Sequence, residues 1–313
     1  MLEKFLIPVD SIKWDNTLNA VKTAIRVSSG CKVDGTPELI FLHVFYIKPR
    51  ISISERKRLI DIKREKVEKE FETIREMCRE EGLERVRTVS REGNPSKEIV
   101  KLADEENVEM VLIGSGKLHD RSAAGRVNKF FYGSVTEEVI HEAPCSILVT
   151  RPEMMLERFL VPVDSIEWDN TLMGVKNAIE FARGCGGGGP ELILMHVLHS
   201  PSGVSEDVRE ERLELERKRI DSEFDRIKKM CEGKGDIEVS KILKEGDPSK
   251  EKKIDEEIVE TAEEEEVDLI AMGSGKLHDR SARGRIQKFF YGSVTENVIH
   301  AAPCSILVAR PLS

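Results

Sequence analysis

The sequence predicts an α/β protein of two repeated domains, residues 1–152 and 153–313, each a doubly wound, five-stranded parallel sheet with helices on both faces. Three observations carry that reading. The chain repeats itself: sliding Gly114–Pro152 by 159 positions lands on Gly273–Pro311, and of those 39 positions only 124, 127, 128, 138, 142 and 150 differ. Within each copy, short apolar runs alternate with stretches of helical period, the order expected of a parallel sheet with crossover helices. The runs are also near-continuously apolar, as strands covered on both faces are. A length of 313 residues suits two domains of about 150 each.

Taken in order, KFLIPVD (Lys4 to Asp10) is a buried strand that delivers a carboxylate to its C-terminal edge, and RFLVPVD ending at Asp164 is its twin. Leu18, Val21, Ala24, Ile25 and Val27 form a helical stripe closed by Ser-Ser-Gly. The second copy closes at the same point with GCGGGGP, Gly184 to Pro190, a loop with no Gly-Lys-Ser after it. ELIFLHVFYI and ELILMHVLHS are the next strands. A long charged helix follows from Ser54 to Glu81, with Leu59, Ile62, Val67, Phe71, Ile74 and Met77 as its apolar face; its twin runs from about Ser205 to Cys231. Its charges read as a solvated face. Short strands at Val86 to Val89 and Ile237 to Leu243 come next, and Gly93-Asn94-Pro95-Ser96 caps another helix. Near Lys252 to Glu257 the second copy gains six residues, which moves the repeat offset from 153 to 159. An insertion in or beside a surface helix leaves the strand ends undisturbed. SILVTRP and SILVARP end the two copies as apolar edge strands, and an uncovered apolar edge invites pairing.

Formal charge is −9 with a pI near 5.5, which disfavours a nucleic-acid partner or an anionic membrane surface. No apolar run approaches the roughly 20 residues of a membrane span, and MLEKFLIPVD reads as the start of a strand and not as a signal peptide. A cytoplasmic protein is expected. The six cysteines fall in matched positions, Cys31 with Cys185, Cys78 with Cys231 and Cys145 with Cys304, without a CxxC pair. Small buried thiols in a reducing compartment account for them better than zinc or redox chemistry. A 34% share of charged residues is typical of proteins that use surface ion-pair networks at high temperature.

The chemistry concentrates where Val111, Leu112 and Ile113 end in Gly-Ser-Gly, a basic loop follows, and Gly133-Ser134 opens a helix carrying Val135, Val139 and Ile140. A strand, a phosphate-sized loop and a helix N-terminus in that sequence make a place for an anion. Parallel sheets bind ligands at the carboxyl ends of strands where the strand order reverses, so Asp10 and Gly114 can face one ligand. Asp10 and Asp164 can equally cap the helix that follows them. Lys117, Arg121, Arg126 and Lys129 lie between the loop glycines of an otherwise acidic chain, which favours phosphate contact over a solvated charge run. His119-Asp120 lacks a G-x-S-x-G nucleophile, and His43, His196, His141 and His300 lack metal-ligand spacing, so all six residues read as structural or exposed. No GxxxxGK[ST] is present, so P-loop chemistry is not indicated.

Strand-PVD, the LHV strand, the G-x-P turn and the glycine loop before G-S-V-T-E occur in one order, and with them each half resembles the universal stress protein family. The match is specific at PVD, at DLIAMGSG (Asp268 to Gly275) and at YGSVTENVIHAAPCSILVARP, and it covers nearly the whole chain as a tandem two-domain member. The resemblance implies adenine-nucleotide binding, with Asp10 and the backbone at Val44 on the adenine-ribose end. It gives the loop roles to Gly114, Gly116, Gly133 and Ser134, with Val135 and Thr136 opening the helix. Asp164, Val197, Gly273, Gly275, Gly292, Ser293, Val294 and Thr295 take those roles in the second copy, and Lys117, Arg121, Lys276 and Arg280 are the candidate phosphate contacts. The family's loop reads G-x2-G-x9-G-[ST], whereas here one residue separates the first two glycines and sixteen separate Gly116 from Gly133. In dimeric members the last strands pair across a two-fold axis, which implies an internal pseudo-dimer here; further association of chains is compatible but not implied.

The expected function is therefore a stress-response regulator binding ATP, ADP or AMP, with or without Mg, one site per half. It is expected to be non-catalytic or at most a weak ATPase. An interaction protein whose enlarged loop no longer holds nucleotide, and a hydrolase using His119 or Asp120, stand as the alternatives.

Overall fold

The structure, a computed structural model, describes residues 2–30, 35–47, 52–115, 133–152, 155–164, 168–184, 189–198, 203–245, 253–274 and 292–310. The first half runs β1 (Lys4–Val9), α1 (Trp14–Gly30), β2 (Glu38–Phe45), α2 (Ile53–Glu80), β3 (Val86–Glu92), α3 (Pro95–Glu105), β4 (Met110–Gly114), α4 (Ser134–Glu142) and β5 (Ser146–Thr150). The second half repeats it as β6 (Arg158–Pro162), α5 (Trp168–Arg183), β7 (Glu191–Leu198), α6 (Glu206–Cys231), β8 (Glu238–Glu245), α7 (Ile254–Glu264), β9 (Leu269–Gly273), α8 (Ser293–Ala301) and β10 (Ser305–Ala309).

All ten strands join one sheet in the order β3-β2-β1-β4-β5-β10-β9-β6-β7-β8. Within each half every pairing is parallel, and the order reverses between β1 and β4 and again between β6 and β9. The expected pairing of the last strands is present. β5 and β10 run antiparallel with Val149 opposite Ile306, Leu148 opposite Leu307 and Ile147 opposite Val308. All residues of both strands are buried, and their pairing removes the edge that each half alone would leave open at its last strand. Side chains close the seam: Ser305 Oγ accepts the Arg151 N–H and Ser146 Oγ accepts the Arg310 N–H, each at 3.0 Å, while Asn177 Oδ1 accepts from Ser146 Oγ at 2.8 Å.

Successive strand residues point to opposite faces, and each face has its own apolar layer. One layer is a continuous cluster that holds Phe5 and Ile7, Val21 and Ile25 of α1, Phe71 and Ile74 of α2, and Phe181 and Phe224 of α5 and α6. The other face has a second continuous cluster that holds Leu6, Ile99 and Leu102 of α3, Val139 of α4, and Ile258 and Val298 of α7 and α8. Both layers draw residues from both halves, so the cores continue across the seam.

Two expectations shift. The buried stripe of α2 is Ile60, Val67, Phe71, Ile74 and Cys78, and Ile62 is 63% exposed. Two helical residues apart means about 200° around the axis, so Ile60 and Ile62 cannot share a face. β3 and β8 are longer than the apolar pattern suggested. Ser90, Arg91 and Glu92 pair with His43, Val44 and Phe45 although their side chains are polar, because an outer strand is covered on one face only. The six-residue insertion supplies the first turn of α7, which starts at Ile254 and ends well short of β9.

Candidate functional site

The strand-order reversal opens a cleft in the first half. β1 and β4 pair only at Phe5 with Met110 and Leu6 with Val111, and beyond that pair their carboxyl ends have separated. The first turn of α1 fills part of the gap. A Cβ placed on Gly114 would lie 2.0 Å from the Asn16 carbonyl oxygen, and one on Gly273 would lie 2.1 Å from that of Asn170. These two glycines are therefore demanded by the packing of the fold itself. On the other side β2 continues past the Val9–His43 pair to Phe45, so the backbone around Val44 has no β1 neighbour and borders the opening.

The resulting cleft holds about 430 Å3, within the usual range for small-molecule sites. Asp10, Val44, Gly114, Gly133, Ser134, Val135 and Thr136 all line it, so these expected residues are brought together. Gly133 caps α4 with no side-chain hydrogen bond, which leaves the first N–H groups of that helix directed at the cleft. Lys13 Nζ is 3.6 Å from where a Cβ on Gly133 would sit, placing an ammonium beside a helix N-terminus. Ile12 and Tyr46 line the mouth and are 87% and 51% exposed, apolar surface on which a flat ring can lie.

Asp10 is an exposed residue with both of its expected roles open to it. Its Oδ1 accepts the N–H of Ile12 at 2.9 Å and of Lys13 at 3.4 Å, an Asx turn into α1. Its own N–H donates to Thr17 Oγ1 at 2.9 Å. Asp164 repeats the last bond to Thr171 at 2.8 Å. Beneath Asp10, His43 Nδ1 donates to the Val9 carbonyl at 2.9 Å, and burial holds its pKa below the ordinary 6.5 despite that bond and the nearby Glu70 and Asp10 carboxylates. His196 Nδ1 donates likewise to Val163 at 2.7 Å, and its Nε2 faces Glu216 Oε1 at 3.0 Å.

Lysines that sequence reasoning passed over complete the wall. Lys63 and Lys66 of α2 line the cleft; Lys66 donates to the Ser11 carbonyl at 2.8 Å and stands 3.7 Å from Glu70, which accepts from the Ser11 hydroxyl. In the second half Thr295 Oγ1 donates to the Gly273 carbonyl at 3.4 Å, so the start of α8 meets the end of β9. Glu223, the counterpart of Glu70, is pushed up by burial, with Asp164 adding to the shift and Arg219 and His196 opposing it. Gly116, Lys117, Arg121, Gly275, Lys276 and Arg280 lie outside the described residues, as do Arg126, Lys129 and the His119-Asp120 pair. Among the described residues no cluster of three or more His, Cys, Asp or Glu could hold a metal, and no helix is long and apolar enough to cross a membrane.

The model of the universal stress protein family matches the chain twice, at residues 1–151 and 155–310. The chain belongs to the universal stress protein family. It is a tandem two-domain member of that family. A universal stress protein of Methanothermobacter thermautotrophicus is 46% identical over 65 residues, which take in 21% of this chain and 40% of the relative. One from Methanocaldococcus jannaschii is 29% identical over 175 residues, 50% of this chain and 96% of the relative. Among solved structures, a universal stress protein from Archaeoglobus fulgidus covers 99% of this chain and 99% of its own, at 21% identity and a TM-score of 0.65, a likeness of fold. The tandem universal stress protein architecture thus extends over the entire ten-stranded sheet.

Proposed function

We propose that this universal stress protein is a regulatory binder of adenine nucleotides, ATP, ADP or AMP, and that each half, 1–152 and 153–313, offers one strand-end cleft for them. The observation that carries the reading is the meeting, in one cleft of about 430 Å3, of a carboxylate (Asp10), a free strand end (Val44), an uncapped helix N-terminus (Gly133 to Thr136) and three lysines. A carboxylate accepts ribose hydroxyls, strand backbone pairs with a purine edge, and N–H groups beside ammonium groups hold phosphate. Lys117 and Arg121, with Lys276 and Arg280 opposite, extend the phosphate end, and Mg can accompany the phosphates. Among the described lining residues His43 is buried and held by the Val9 carbonyl, which supports binding over turnover; the hydrolase alternative rests on His119 and Asp120. Buried thiols at Cys78, Cys145, Cys231 and Cys304 fit a reducing compartment such as the cytoplasm.

Mass spectrometry of small molecules released from the denatured, freshly purified protein tests the reading directly. Release of an adenine nucleotide, with ATP or AMP raising the melting temperature by a few degrees at about 100 times its dissociation constant, is the expected result. Absence of both effects up to millimolar nucleotide leaves the interaction-protein alternative.

A further inference from the structure

The two strand-order reversals share a backbone pattern but not a charge. Val67, Phe71 and Cys78 of α2 correspond to Ile220, Phe224 and Cys231 of α6, and all six are buried in the same layer. That register sets Lys63 against Glu216. Lys63 lines the first cleft, while Glu216 turns its Oε1 to His196 Nε2 at 3.0 Å, over the same strand end. Lys66 and Arg219 keep a cation at the next turn, but each is held by its own carboxylate, Lys66 by Glu70 at 3.7 Å and Arg219 by Glu223 at 3.6 Å. At the helix N-terminus the first half has Lys13 beside Gly133. The sequence has Glu167 at that position in the second half, outside the described residues.

We infer that the two halves differ in the phosphate charge they accept, the first taking ATP and the second an adenine ligand of lower charge, so that the chain holds one ATP, and that the Lys63/Glu216 position discriminates between them. This rests on the reading that the strand-end clefts take adenine nucleotides. The magnitudes favour a clear difference. At an effective dielectric of about 20, one unit charge roughly 8 Å from another changes affinity by roughly 30-fold, and exchanging lysine for glutamate reverses the sign of that term. A triphosphate brings several negative charges; Lys13, Lys63 and Lys66 line the first cleft, against Asp10 and the Glu70 that pairs with Lys66. In the second, Asp164, Glu223 and Arg219 repeat Asp10, Glu70 and Lys66, and Glu216 replaces the Lys63 cation by a carboxylate at the same turn.

Native mass spectrometry and calorimetric titration of the full chain with ATP test this, using the wild type, Lys63→Glu and Glu216→Lys. One ATP per wild-type chain is expected, with affinity falling at least tenfold in Lys63→Glu and a second ATP appearing in Glu216→Lys. The latter variant restores the lysine that the first half tolerates beside its own histidine, so it should fold; Glu216→Gln, which removes charge at nearly constant shape, should show the same gain in smaller degree. Melting temperatures separate loss of binding from loss of fold. Two equal ATP sites in the wild type, or ATP binding unmoved by both charge reversals in folded protein, overturns the inference while leaving the nucleotide reading intact. No ATP bound at all overturns this inference, and no ADP or AMP bound either removes that reading as well.

Discussion

Asn16 and Gly114 touch through backbone alone: the Asn16 carbonyl stands 2.0 Å from where any side chain on Gly114 would begin. The first turn of α1 can seat on the end of β4 only because that position carries no Cβ. Gly114→Ala and Gly273→Ala should therefore each destabilise the protein by about 1–3 kcal/mol, the range for overpacking a close contact. Among the described residues Gly133→Ala meets only a flexible lysine tip at 3.6 Å and should stay within about 0.5 kcal/mol. Denaturant titration of the three variants checks this; equal losses in all three would mean that Gly133 is also held by packing.

The seam yields a second expectation. Leu148 and Leu307 face each other in fully buried strands, so Leu148→Ala should cost about 2–5 kcal/mol. Because both apolar layers cross the seam, calorimetry should show a single unfolding transition, shifted down as a whole. Two separate transitions would show that the halves are thermodynamically independent.

A third concerns pH. Burial holds the His43 pKa below 6.5, with Lys63 pushing the same way and the Val9 carbonyl, Glu70 and Asp10 opposing. Below 6.5 the unfolded chain takes up a proton that the folded chain refuses, so this residue's contribution to stability is intact above 6.5 and declines as pH falls through and below it. His43→Asn keeps a donor for the Val9 carbonyl and removes the titration. Melting temperature followed from pH 7.5 to 5 should fall less steeply in that variant, and parallel curves would place the acid sensitivity elsewhere.

Arg121 supports a fourth. Its replacement by Ala should weaken ATP by about 1.5–3 kcal/mol, the range for a hydrogen bond to a charged group, and leave adenosine nearly unchanged. Asp10→Ala should weaken adenosine and ATP alike. Calorimetric titration of both ligands against both variants gives the comparison; equal losses of ATP and adenosine in the arginine variant would mean that the loop shapes the site without reading its charge.

The thiols give a fifth. Burial pushes Cys145 and Cys304 up to about 12, so an alkylating reagent at pH 8 should leave them unmodified in the folded protein and label them after denaturation, read by peptide mass mapping. Rapid labelling in the native state would contradict their enclosure.

Much of this was legible in the residues. The 159-residue offset and the apolar runs of β1, β2, β4 and β5 give strand, helix and half, and SILVTRP declares an edge in need of a partner. The glycines were harder. Gly114 and Gly133 look alike in a loop motif, yet one answers to Asn16, 98 residues earlier in the chain, and only tertiary contact reveals it. Lys63 and Lys66 were hidden in the charged face of α2, because periodicity assigns a residue to a side of a helix but not to the turn that overhangs a strand end. Comparing the two copies would have exposed Lys63 against Glu216, and Ile62 shows the converse error, an apolar residue credited to a stripe it does not share.

The antiparallel meeting of β5 and β10 also changes what selection can act on. Two identical chains assembled through such a pair must carry identical pockets, since any substitution in one appears in the other. Joined in one polypeptide, the partner is supplied at a fixed, high local concentration whatever happens to its pocket. One half can then drift to a different ligand, or to none, while still serving as the scaffold that keeps its sibling folded.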